Sequence, residues 1–342
     1  LNANPMLLNV GNGTLDLATG MLHKHQAADR ITQVAGADYH PDARGPRWAK
    51  FLTEALGDPK LIKAAGECFG GVGLPGLVRD HVLPVVYGPT GTGKGTFIGG
   101  VSKAFGDYAI AAEPDIIMPT AGKHPTGLMD LFGKRLAFVS ESEDGKRMAA
   151  SIMKRLTGGD TIRARKMHQD FVEFDPSHLL CLITNHLPTM PAGDDPAVWR
   201  RVRVVPFNRA PVKPDKALTD QLADELPAIL TWLINGYTSY VTNGLDIGWP
   251  EQVTAATASY RSQSDLIGQF LDDATEPASV MESIPVGKLY GQWKDWLLGN
   301  APDAKPGRTG DFTQRLRDKG EDIETVTGGR IRSSLRGRRF SE

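Results

Sequence analysis

Continuous apolar runs punctuate the middle of the chain at residues 82–87, 136–140, 179–184 and 202–207. Each is short, lacks the polar alternation of a half-exposed strand, and is closed by turn or charged residues. That is the pattern of strands buried on both faces. Between and after them the apolar period lengthens. Residues 97–105 read as a helix, and 218–240 as two helical segments, the second starting at Pro227 and stopped by Asn243-Gly244. Buried strands alternating with helices predict an α/β fold with a mostly parallel sheet, whose ligands gather at the carboxyl ends of the strands.

On either side the pattern changes. The first fifty residues hold short apolar pieces broken by Gly11-Asn12-Gly13 and Thr19-Gly20, which predicts small hairpins. Trp48, Phe51, Leu52, Ala55 and Leu56 then recur at helical spacing, and Leu61, Ile62, Ala65 and Cys68 continue after Asp58-Pro59. Gly70-Gly71-Val72-Gly73 reads as a hinge before the first core strand. Past residue 262, apolar positions around Phe270, Trp293 and Phe312 predict three helices, and alternation over 323–335 predicts a β-wing. The expected organisation is therefore a hairpin and helical collar segment at 1–75, an α/β core at 76–245 and a small winged-helix-like domain at 262–342.

Composition narrows this only modestly. A length of 342 residues fits two or three domains, and 40% hydrophobic with 23% charged residues is the balance of a soluble globular chain. With a net charge of −1, any nucleic-acid surface must be local. Cys68 and Cys181 sit in apolar surroundings without disulfide or zinc spacing, which points to reduced core residues and a cytoplasmic compartment. No apolar run approaches the ~20 residues of a membrane span. No signal-peptide pattern opens the chain, and its start at Leu1 reads as a piece of something longer.

The candidate chemistry begins directly after the first core strand, at Gly88-Pro89-Thr90-Gly91-Thr92-Gly93-Lys94-Gly95-Thr96. Strand, glycine-rich turn and helix at the Walker A spacing form a phosphate-binding loop. Backbone N–H groups curl round the phosphates, the helix N-terminus adds partial positive charge, and Lys94 reaches the β/γ-phosphates. Bound ATP and Mg²⁺ are the implied ligands. One position departs from the pattern: the Ser or Thr that ligates Mg²⁺ directly after the lysine is replaced by Gly95, leaving Thr96 or water for that role.

Hydrolysis further needs a carboxylate opposite the phosphates, a group on the attacking water and positive charge on the transition state. Glu141, closing the second run, is the Walker B candidate, with Glu143 as a second metal candidate; Ser140 stands where an adjacent acid is usual. Asn185, after the third run, suits a sensor of water or γ-phosphate, or a plain turn. Arg200-Arg201 suits an arginine finger supplied to a neighbouring subunit, or a solvated strand end. Between Glu141 and Asn185, residues 146–165 carry Lys146, Arg147, Lys154, Arg155, Arg163 and Arg165 against Asp160 alone. Alternation over 161–165 and 171–174 around 166–170 predicts a basic hairpin able to track a nucleic-acid backbone. From Lys305 to the C-terminus ten Lys/Arg face six Asp/Glu, a milder DNA-binding signal.

Together these motifs resemble the superfamily 3 helicase domain of phage and plasmid primase–helicases and their poxvirus-type relatives. The carrying residues are the phosphate loop, 133–141, 154–165, Thr184-Asn185-His186-Leu187-Pro188 and 195–207, joined by 9–17 near the start. The resemblance implies an AAA+-like P-loop ATPase core with an N-terminal helical segment and a C-terminal winged-helix-like domain. It implies a homo-hexameric ring, with ATP at subunit interfaces, that moves on single-stranded DNA and unwinds forked duplex in the host cytoplasm. Lys94, Glu141, Asn185 and Arg201 would be its catalytic set, and Arg165, Lys166 and His168 its DNA-contacting hairpin. A primase domain commonly lies upstream in the family and is not expected within these residues. The competing reading is an ATP-dependent DNA-binding initiator or loader without processive unwinding, which Gly95 and Ser140 keep open.

Overall fold

The computed structural model describes residues 1–119, 126–141, 143, 145–165, 169–190, 195–211, 213–302, 304–328 and 330–341. The chain opens with an antiparallel meander, β1 (Leu7–Val10), β2 (Gly13–Asp16) and β3 (Met21–His23). Helices α1 (Pro46–Ala55) and α2 (Pro59–Gly66) follow, each begun by proline, where the missing N–H costs nothing. A buried π-helical turn, Glu67–Val72, leads into the core.

The core elements are β4 (Leu83–Tyr87), α3 (Lys94–Phe105), β5 (Ala109–Ala112), β6 (Leu136–Glu141) and α4 (Ala150–Leu156). They continue with β7 (Ile162–Ala164), β8 (Val172–Phe174), β9 (Leu179–Thr184), α5 (Pro196–Trp199) and β10 (Val202–Pro206). Helices α6 (Leu218–Asp224), α7 (Leu226–Thr242) and α8 (Glu251–Ser264) complete the run. Five strands form one parallel sheet in the order β10-β4-β9-β6-β5. All four apolar runs are in it. The edge strand β5 escapes the sequence pattern because only Ile110 of Ala-Ile-Ala-Ala carries the bulk and β-branching that mark a strand.

The chain divides into two compact units rather than three segments: Leu1–Thr189 with Ala197–Ala258, and Met190–Pro196 with Ser259–Glu342. The expected collar is not a separate body. Leu8, Val10, Trp48 and Phe69 share one buried cluster with Val86, Phe97 and Phe207. Arg135, buried at the start of β6, ties the N-terminal meander to this core by donating to the carbonyls of Leu7 (2.5 Å) and Leu74 (2.6 Å). Burial draws its pKa down to about 10. The glycine run at 70–73 is not a hinge. A Cβ on Gly70 would lie 1.9 Å from the Leu233 carbonyl oxygen, and one on Gly236 would lie 2.1 Å from that of Gly66. The glycines let α7 press its backbone against the π-turn, and composition alone cannot separate that use from flexibility.

The second unit holds α9 (Leu266–Ala274), β11 (Thr275–Pro277), β12 (Ser283–Pro285), α10 (Val286–Asn300), α11 (Thr309–Asp318), β13 (Ile323–Gly328), β14 (Arg330–Arg336) and β15 (Arg338–Phe340). Its own core gathers Phe270, Trp293, Leu297, Phe312, Leu316 and Leu335. The predicted three helices and terminal hairpin are present, joined by short strands in the orders β12-β14-β13 and β11-β15. Among the described residues no helix is long and apolar enough to cross a membrane.

Candidate functional site

The parallel register aligns the strand ends. Tyr87, Thr184 and Glu141 form one row across β4, β9 and β6, so the residues that follow β4 and β9 leave the sheet beside the glutamate. Above that row opens a cavity of about 860 Å³. Its lining includes 90–96 of the phosphate loop, Ser140 and Glu141 of β6, and Ile183, Thr184 and Asn185 of β9 and its exit.

The loop is shaped by glycines where it must be. Gly91 and Gly93 adopt left-handed φ values of +83° and +91°, which a side chain would resist. Gly93 also passes under α1, where a Cβ would come 3.0 Å from the Phe51 ring. Lys94 begins α3 and is 7% exposed, and its Nζ donates to the carbonyls of Gly88 (2.6 Å) and Pro89 (2.8 Å). Gly88 and Pro89 thus stand behind the loop, holding the ammonium. Burial lowers the pKa of that ammonium from its ordinary value. The Thr92 hydroxyl donates to Pro89 O at 2.8 Å and closes the turn. Helix geometry leaves the first-turn N–H groups without helical partners, and at Lys94, Gly95 and Thr96 they belong to the cavity wall.

Opposite the loop, the Glu141 carboxylate is 9% exposed and accepts from the Glu143 amide at 2.8 Å. Glu143 itself is 72% exposed on its side chain, pairs with Lys146 at 2.8 Å and does not line the cavity. The Lys146 hydrogen bond and charge hold its carboxyl below the usual range. Among the described residues there is no cluster of three or more His, Cys, Asp or Glu that could hold a metal. One carboxylate facing a phosphate loop fits Mg²⁺ carried largely by phosphates and water, and does not fit a metal caged by protein alone.

The structure therefore brings Lys94, Thr96, Glu141 and Asn185 into one cavity and leaves other candidates outside it. Arg201 is 7% exposed and donates from Nη1 to its own chain's Ala197 carbonyl at 2.7 Å, whereas Arg200 is exposed. Arg165 is exposed at the end of β7, and Lys166 and His168 lie outside the described residues. The hairpin strands pair antiparallel as expected, with Arg163 opposite Glu173.

Part of the wall has no sequence signal. Arg47, Lys50, Phe51, Glu54 and Ala55 of α1 line the cavity, with Arg209 and 213–215 beyond β10. Arg47 donates to Asp215 and Gln221, both at 2.7 Å. The Glu225 carboxylate caps α1 by accepting from the amides of Arg47 (3.0 Å) and Trp48 (2.7 Å). The apolar stripe of α1 marks it as a helix, but partners far along the chain cannot be read from its polar face.

In the second unit three members of the expected basic excess are held in ion pairs. Arg338 pairs with Glu321 (2.9 Å), Arg339 with Glu276 (2.5 Å), and Lys319 with Asp265.

A family model described as D5 N terminal like matches residues 1–57, and a family of unknown function, DUF5906, matches residues 86–201. A protein of Acanthamoeba polyphaga mimivirus, provisionally named a helicase, is 25% identical over 89% of this chain and 35% of its own length. A protein of African swine fever virus, provisionally named a primase, is 25% identical over 59% of this chain and 22% of its own. The chain thus spans about a third or less of these curated relatives. The apo structure of the NrS-1 C-terminal region has the same fold at a TM-score of 0.53, with 14% identity, covering 87% of this chain and 78% of that one. These matches bear out the resemblance to the primase–helicase family.

Proposed function

We propose that this relative of viral helicase- and primase-named proteins is an ATP-dependent DNA helicase of superfamily 3, built on an AAA+-like P-loop core. The observation that carries the reading is the single row of strand ends that sets Lys94, Asn185 and Glu141 round one cavity. In this reading the loop amides and Lys94 bind and orient the triphosphate of ATP. Glu141 would accept a proton from water or, with Thr96, help to hold Mg²⁺, and Asn185 would orient the attacking water. Mg²⁺, when bound, neutralises charge on the phosphate oxygens. By family expectation an arginine from a neighbouring subunit of a hexameric ring would meet the charge on the transition state. The β7–β8 hairpin with Arg165, Lys166 and His168 would contact single-stranded DNA. We read the second unit as winged-helix-like, the host cytoplasm as the compartment, and a primase domain as a companion within a longer protein.

The test is ATPase activity with and without single-stranded DNA, run beside strand displacement on a forked duplex. DNA-stimulated turnover with displacement is expected, and Lys94→Ala should abolish both. Normal turnover in that variant would sink the site assignment. Gly95, which removes a usual metal ligand, favours a second reading: an ATP-dependent DNA-binding initiator or loader without processive unwinding. Stimulation without displacement would establish it.

A further inference from the structure

The β7–β8 hairpin has two unlike faces. Ile162, Ala164 and Phe174 are buried on one side. Pairing of Arg163 with Glu173 puts these two, with Arg165 and Phe171 one step nearer the tip, on the other side. That second face is exposed, and it displays an aromatic ring: Phe171 is 51% exposed. Both arginines lean over it. The Arg163 guanidinium carbon lies 4.6 Å from the Phe171 ring centre and that of Arg165 lies 4.8 Å away. Glu173, 3.8 Å from Arg163, is an acidic group on this face, and Thr161 donates to Asp175 at the hairpin base (2.8 Å).

We propose that Phe171, flanked by Arg163 and Arg165, is a stacking platform for a base of single-stranded nucleic acid, with the two guanidiniums meeting the adjoining phosphates. Backbone contacts at a hairpin tip would hold the strand by charge alone. An exposed ring among arginines adds a grip on the base, because every base has a π-face and a guanidinium stacks as readily as it pairs with phosphate. In the free chain the two guanidiniums occupy the ring by cation–π contact, and a bound base takes their place as they turn to the phosphates. Such a contact tolerates any sequence, which suits a motor that must pass along all of them. The inference rests on the nucleic-acid reading above and adds a base contact to it.

Fluorescence anisotropy with the full chain separates the two. One probe is a labelled oligo-dT, and the other is an abasic sugar–phosphate strand of equal length and charge. The wild-type chain should bind oligo-dT about 5- to 150-fold more tightly than the abasic strand, the range for one stacked base. Phe171→Ala should erase most of that gap, and Phe171→Trp should keep it, with thermal unfolding confirming that both variants fold. Equal wild-type affinity for the two strands overturns the stacking platform while leaving the nucleic-acid reading intact. Binding of neither strand overturns both. A change of oligomeric state in Phe171→Ala with the gap preserved would assign the ring to a contact between copies of the chain instead.

Discussion

A Cβ at Gly95 would meet nothing within 4 Å, so the missing hydroxyl of the phosphate loop reflects no shortage of room. Steric exclusion is thereby removed as the reason for glycine, and the metal shell becomes the variable. Gly95→Ser should lower the Mg²⁺ concentration needed for half-maximal ATPase several-fold, and Thr96→Ala should raise it if Thr96 holds the ion. A magnesium titration of the three proteins reads both effects, and an unchanged requirement in both variants would assign that coordination position to water. The loop is the most legible part of the site, because glycine at left-handed positions, a lysine and a following helix are all local. Glu143 shows the limit of such reading. It shares a strand-like spacing with Glu141, yet its carboxylate pairs with Lys146 and lies mostly in solvent.

Helix α1 shows what local pattern cannot supply. Its apolar face was readable from Trp48, Phe51, Leu52 and Ala55, but its contribution to the cavity depends on Glu225, far along the chain. The carboxylate satisfies two of the amides that every helix start leaves unpaired, and it opposes the positive end of the helix dipole. Removing a charged hydrogen-bond acceptor of this kind costs about 1.5–3 kcal/mol. Glu225→Ala should therefore lower the thermal midpoint, and it should also weaken nucleotide binding, because Lys50 and Glu54 sit on the loosened helix. Glu225→Gln, which keeps one acceptor, should fall between. Isothermal titration with ATP alongside thermal unfolding checks the pair of effects, and an unshifted affinity would confine α1 to a supporting role. The glycine run before β4 hides its role for the same reason: its contact, α7, lies far away in sequence.

For the whole molecule the arginine pair is the informative case. A finger that serves a neighbouring subunit must offer its guanidinium to the outside, and Arg200 is exposed while Arg201 bonds within its own chain. Mixing Lys94→Ala subunits with Arg200→Ala subunits should restore part of the ATPase activity that each lacks alone. Arg201→Ala should instead lower stability by about 1–3 kcal/mol, the cost of losing a buried charged donor. Complementation by Arg201→Ala at an unchanged thermal midpoint would reverse the assignment. The sheet order has a consequence of another kind. Because β9 lies between β4 and β6, the loop strand and the glutamate strand stand two strand spacings apart, roughly 10 Å. The sheet acts as a ruler whose divisions are main-chain hydrogen bonds. Substituting any one side chain leaves that interval standing, so the chemistry at its two ends can change while the width of the gap between them is kept.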